Sequence, residues 1–203
     1  MLDEGMKLLV GQVAGGISFL AYVLYYVSIV QGRSRPNRVT WVILTVVGVL
    51  IAASYYASGA RNTMWVALAY TIGPFIAAIL AFKYGEGGTT KLDIFCLVAC
   101  IFSVILWVLS ENPVYTLMVN IGIDFLGILP TLKKSFFDPL SEDKLAWSVT
   151  MSSNILNIFA VETWTFSIAV YPVYMVIANG LVTAFIFQKS LPFFVLNAYG
   201  KKI

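Results

Sequence analysis

The sequence predicts an all-α, polytopic membrane protein of seven transmembrane helices, grouped as three, one and three, with the two triplets forming parallel repeats. Three observations predict it. Hydrophobic residues make up 60% of the 203 and charged residues only 11%, with a mean hydropathy of +0.86. A soluble domain carries about 25% charged residues, so the chain has too little charge to cover a water-facing surface. Seven runs reach the ~17–25 residues that a helix needs to cross ~30 Å of hydrocarbon. Six of them carry no charge and the fifth carries only Asp124. Finally, Lys and Arg alternate between connections: 11 of the 13 lie after odd-numbered runs, and only Lys7 and Arg61 lie elsewhere.

The runs are 8–30, 39–57, 63–82, 94–110, 113–132, 145–161 and 163–188. Continuous apolar stretches such as 42–53 exclude the alternating ~10-residue strands of an outer-membrane barrel. Helices satisfy their own backbone in lipid and are what remains. The first run exceeds a signal-peptide core of ~7–15 residues. It ends at Arg33, Arg35 and Arg38 with no small-residue cleavage site, so it is expected to be retained as the first helix. The second opens near Trp41, and the third contains Gly73-Pro74 and stops at Lys83. The fourth carries Cys96 and Cys100, one turn apart. A disulfide across one turn is geometrically poor, and with no His in the chain no zinc site is expected, so both read as small packing residues. The fifth holds Asp124, the sixth is unusually polar, and the seventh contains Pro172, Asn179 and Gly180.

The basic bias sets orientation, because Lys and Arg are retained on the cytoplasmic side. It predicts the N-terminus outside and the C-terminus, with Lys189, Lys201 and Lys202, in the cytoplasm. The expected location is a plasma (inner) membrane in preference to an organellar one. The net charge of +3 then reflects topology and contact with anionic headgroups; binding to nucleic acid is not expected. Asp138, Glu142 and Asp143 share the fifth connection with its lysines, which makes it a mixed-charge face.

Residues 25–41 read YYVSIVQGRSRPNRVTW and residues 130–147 read PTLKKSFFDPLSEDKLAW. Each is a helix end, a basic loop with a proline, and a new helix opening on Trp (Trp41, Trp147). The expected units are therefore a first triplet at 1–88, a connecting helix at 89–112, a second triplet at 113–190 and a tail at 191–203. A triplet is odd in number, so one connecting helix restores the second to the orientation of the first, giving parallel repeats about an axis along the membrane normal.

This layout, with Asp124 six positions before the Pro130 of Leu129-Pro130-Thr131 and then Lys133, Lys134 and Ser135, resembles the PQ-loop superfamily. That group includes the SWEET sugar transporters, lysosomal amino-acid exporters, the KDEL receptor and, more distantly, the nicotinamide riboside transporters. Thr131 stands where the motif usually has Gln, and Leu24 or Tyr25 where the first repeat has proline. The resemblance implies a small-solute transporter or a receptor on the same scaffold, without naming a solute.

Asp124 is the sharpest candidate. A carboxylate at mid-membrane costs roughly 2.5–3.5 kcal/mol on insertion scales, so it is expected to face protein or water. Asn120, Asp124, Gly127 and Thr131 recur at helical spacing and form one stripe. Burial disfavours the charged form of a carboxylate, which makes Asp124 a candidate proton-linked site; a helix-bridging structural role is the alternative. On the sixth run, Trp147, Thr150, Asn154 and Asn157 form a second stripe, lining either a hydrated cavity or an interhelical seam worth ~0.6–2 kcal/mol per contact. If Lys83 is aligned with Lys189, Gly73 falls on Asn179 and Pro74 on Gly180. Interruptions at matching positions of two halves point to a transport site, and in SWEET-like proteins an Asn placed like Asn179 contacts substrate. Gly73, Pro74, Pro130, Pro172 and Gly180 are the candidate hinge and gating positions, with simple kinks as the alternative. Tyr22, Tyr25, Tyr26, Tyr55, Tyr56, Tyr70, Tyr171 and Tyr174 serve either an interfacial belt or ring stacking. Trp41, Thr45, Gly48, Ala52 and Tyr55 share one face of the second run.

No nucleotide loop, paired catalytic carboxylates or His-based metal motif is visible, so no enzyme, cofactor or metal site is expected. Lys189 lies at the end of the seventh run, away from where a retinal Schiff base would sit. The expected function is transport of a sugar, nucleoside, vitamin or amino acid by rocking of the two triplets, with a lipid bilayer as surroundings and a homo-oligomer left open. The alternative is a non-transporting receptor or interaction subunit.

Overall fold

In the computed structural model, residues 2–188 are described, except 86, 88 and 90. Seven α-helices follow in order: α1 (Glu4–Val30), α2 (Arg38–Ala57), α3 (Met64–Tyr84), α4 (Lys91–Ser110), α5 (Pro113–Phe137), α6 (Lys144–Phe159) and α7 (Phe166–Phe187). A single 3₁₀ turn, Pro139–Ser141, precedes α6, and no strand occurs among the described residues. The tail at 191–203, with Lys201 and Lys202, and Lys189 lie outside the described residues.

The helix starts follow from local chemistry. Asp3 accepts from the Met6 N–H, Asn37 from Val39 and Thr40, Asn112 from Val114, and Asp143 from Ala146. Each satisfies amides that the first turn leaves unpaired. Asp3 carries α1 outward past the apolar run, so Glu4 and Lys7 are helical although charged. Pro113 sits at the first position of α5, where its missing N–H costs nothing. Beyond α1, Gly32 turns the chain at φ +72°, a conformation that other residues rarely take.

Five helices (α1, α2, α3, α5 and α7) are long and apolar enough to cross a membrane. The stretch Leu97–Ser110 of α4 is a shorter apolar helix. Helix α6 has 16 residues, about 24 Å at 1.5 Å per residue, because the chain leaves the helix at Ala160, short of the 145–161 run. Large apolar side chains point outward, among them Phe82 at 66% and Val108 at 74% exposure. Soluble monomers rarely expose this much apolar side chain, and with the five long apolar helices this fits an integral membrane protein of α-helices.

The packing follows a simple scheme. Helix α3 lies against both α1 and α2, and α7 lies against both α5 and α6. Across the middle, α1 packs on α6 and α2 on α5, while α4 rests outside on α5 and α2. Lipid is as apolar as a core residue, so close packing and interhelical hydrogen bonds hold such a bundle. Small residues permit the closest approaches: a Cβ added at Gly15 would stand 2.6 Å from the Trp65 Cβ, and one at Gly48 2.6 Å from the Tyr70 carbonyl oxygen. Ile43, Val47, Ile51 and Tyr55 of α2 form the main buried cluster with Leu117 and Ile121 of α5 and Tyr171 and Met175 of α7.

Candidate functional site

Where the six inner helices converge, a cavity of about 80 Å³ remains open. One water needs about 10–15 Å³ of such space, so the cavity admits several waters or part of a small solute. Helices α1, α2 and α3 contribute Tyr22, Tyr25, Trp41, Gly48, Tyr70 and Pro74 to its wall. Helices α5, α6 and α7 contribute Asp124, Thr131, Trp147, Thr150, Tyr171 and Asn179. Helix α4 contributes nothing among the described residues.

The aromatic side is a constructed surface. The Tyr22 ring stands almost at right angles to Tyr70 (82°, centroids 5.7 Å apart) and to Trp41 (77°, 6.5 Å). Tyr25 leans on Trp41 at 5.2 Å. A Cβ at Gly73 would run into the Tyr22 ring, so this glycine lets Tyr22 lie against α3. The Gly73 carbonyl also accepts from the Tyr26 hydroxyl at 2.8 Å. Asn154 holds Tyr70 from behind, its amide donating to the Tyr70 hydroxyl at 2.9 Å.

The polar side is sparse. Asp124 carries the one charged side chain of the wall among the described residues, and the Tyr174 hydroxyl donates to its Oδ2. A hydrogen bond to a charged group contributes about 1.5–3 kcal/mol, which offsets much of the cost of a carboxylate at this depth. Asn179 spends its amide N–H₂ on the Met175 carbonyl at 2.9 Å and its backbone carbonyl on Thr183 at 2.8 Å. Its side chain also interacts with the Tyr70 hydroxyl of α3.

The two ends of the cavity differ. Towards the basic loops lies a second pocket of about 320 Å³ that shares Tyr25, Trp41 and Thr131 with the first. Its rim holds Arg35, Asn37, Lys134 and Glu142. Glu142 accepts from the Trp147 indole at 3.1 Å and pairs with Lys134 at 3.2 Å. Beside it Arg33 pairs with Asp143. Burial alone would raise the Asp143 carboxyl, but the Ala146 N–H, Ser28 and Arg33 together hold it below its ordinary value. At the opposite end, Lys7 donates to the Glu162 carbonyl at 2.9 Å, and the Glu162 carboxylate accepts from the backbone of Arg61 and Asn62. Below them Tyr55 donates to the Ile168 carbonyl and accepts from Thr63, both at 2.7 Å, with its ring 5.1 Å from Tyr171. These contacts tie α1, α2, α3, α6 and α7 together there.

The structure brings Asp124, Trp147, Asn179 and Pro74 to the cavity wall and divides both predicted stripes. On α5, Asp124 and Thr131 face the cavity, but Asn120 is turned to α4, where it accepts from Ser103. On α6, Trp147 and Thr150 face it, whereas Asn154 supports Tyr70 and Asn157 is buried away from the wall. Helices α3 and α7 continue through the buried Pro74 and Pro172. Gly180 leaves room for a Cβ, whose nearest neighbour would be the Met151 Cε at 3.4 Å. Helix α5 runs on through Pro130; the side chains of Pro130 and Cys96 lie outside the described residues. Sequence reasoning passed over Glu162, although Lys7 and Arg61 are the cations of that end and call for an acidic partner. Set against protein-family models, curated proteins and solved structures, the chain matches none.

Proposed function

We propose that the chain is a small-solute transporter of three-one-three construction, working by alternating access between the α1–α3 and α5–α7 bundles. One observation carries this reading: a central cavity is walled by all six helices of the two bundles and by none of α4 among the described residues. The packing scheme supports it, because exchanging α1, α2 and α3 for α5, α6 and α7 leaves the pattern of neighbours among these six helices unchanged, with α4 outside it. A pseudo-two-fold axis along the membrane normal would act in this way and would pass through the cavity. In this reading α4 and the short α6 also cross the bilayer, with the N-terminus outside and the basic loops in the cytoplasm of a plasma membrane. Asp124, six positions before Pro130-Thr131, then stands where PQ-loop proteins of the SWEET type carry their motif. The contacts around Glu162 close the outer end, and the pocket at Lys134 and Glu142 is the inner mouth.

The experiment is uptake by the purified protein in liposomes, screened with pooled sugars, nucleosides, vitamins and amino acids, with and without an inward proton gradient. Saturable uptake that disappears in Asp124→Asn is expected. Saturable binding without flux would turn the reading to a receptor on the same scaffold, and co-purification of a fixed partner without either would turn it to an interaction subunit.

A further inference from the structure

We infer that the solute of the central cavity is a small organic cation, an ammonium or pyridinium compound with an apolar body, held between the aromatic corner of the first bundle and the carboxylate of the second. The inference rests on the transport reading of this cavity and narrows its substrate class.

Two features point the same way. Tyr22, Trp41 and Tyr70 form walls at near right angles with centroids 5.7 and 6.5 Å apart. A cation within about 6 Å of several ring faces is attracted by each of them, which is how aromatic cages hold quaternary ammonium groups. Asp124 lines the same cavity, and no Lys or Arg does so among the described residues. An anionic solute would find a carboxylate and no counter-charge. A compact cation supplies the opposite charge that a carboxylate at this depth calls for.

A sugar would bring no opposite charge to this carboxylate, whereas a cation does. At the mouth, Lys134 is paired with Glu142, which lessens its repulsion of a cation.

The test uses the full chain in lipid nanodiscs and the fluorescence of its own tryptophans, of which Trp41 and Trp147 line the cavity. Choline, benzyltrimethylammonium and 3,3-dimethylbutan-1-ol, the uncharged isostere of choline, are titrated in turn. The cations are expected to change the emission saturably and to bind about tenfold or more tighter than the isostere. Asp124→Asn should lose at least about tenfold for the cations alone, and Asp124→Glu should keep most of the binding. Equal binding of choline and its isostere, or no response to either cation from wild-type protein that elutes as a single species, overturns the inference even if Asp124→Asn does not fold. Choline counterflow into liposomes separates the two claims. Cation binding without flux supports the cation and refutes transport; uptake of a neutral sugar without cation binding supports transport and refutes the cation.

Discussion

The two halves of the bundle share a packing scheme and divide the chemistry. Both bring aromatic rings to the cavity, Tyr22, Tyr25, Trp41 and Tyr70 from α1–α3 and Trp147 and Tyr171 from α5–α7, but Asp124, Thr131, Thr150 and Asn179 come from the second half alone. Counting back the same six positions from Leu24 as from Pro130 lands on Ser18, which meets Ser153 at 2.6 Å away from the cavity wall. The first half thus has a short hydroxyl tied into a seam where the second has a carboxylate. A near-symmetric scaffold can therefore hold an asymmetric site: packing constrains size along the seams, and the few residues reaching the centre are free to differ.

The largest effect should come from the charged half. Asp124→Asn keeps the shape and removes the charge, and should abolish uptake while leaving expression and elution unchanged; undiminished uptake would sink the assignment. The aromatic half should respond by degree. Trp41→Leu removes one wall, worth about 0.5–2 kcal/mol to a bound cation. It should raise the half-saturation concentration roughly 2- to 30-fold with the maximal rate kept, as read from uptake curves.

Two glycines sharpen the contrast in packing. At Gly73 an added Cβ runs into the Tyr22 ring, whereas at Gly180 the nearest atom lies at 3.4 Å on a flexible Met151. Gly73→Ala should cost about 1–3 kcal/mol as overpacking and lower the thermal midpoint. Gly180→Ala should leave it level or raise it, since Ala favours a helix over Gly by about 1 kcal/mol. Equal midpoints in the two variants would contradict the packing. The smallest effect concerns Arg33 and Asp143. Because the folded protein holds this carboxyl low, its contribution is present above the ordinary carboxylate range and fades as pH falls through the folded value. Thermal midpoints should decline on acidification less steeply in Asp143→Asn than in wild type.

Most of the helices are legible in the sequence because lipid imposes length and apolarity on each segment separately. The core of each predicted run is helical, and the ends moved where a cap acted. Asp3 lengthened α1 at its start, and α5 continued five residues past Leu132 through Lys133, Lys134 and Ser135, since a basic amphipathic turn stays helical beyond the apolar run. Asp124 was legible because a carboxylate among apolar neighbours has to be accounted for. The division of the stripes was not. Spacing places Asn120 with Asp124 and Asn157 with Trp147, but on helices of 25 and 16 residues the two ends of one face meet different neighbours. Asn120 meets Ser103 of α4, whose position beside α5 no periodicity reveals. Glu162 was illegible for a related reason: its partners, Lys7, Arg61 and Asn62, are about a hundred residues or more away and come together only through the fold.

The most direct test of the account asks from which side the cavity is reached. In protein with Cys96 and Cys100 replaced by Ala, Thr150→Cys places a thiol on the cavity wall, to be labelled by an impermeant maleimide applied to either face of sealed vesicles. Labelling is expected from the basic-loop side in the wild-type background, with a shift towards the opposite side when Glu162→Gln and Lys7→Ala loosen the outer end. Labelling from the same side in both proteins, or from neither, would contradict alternating access.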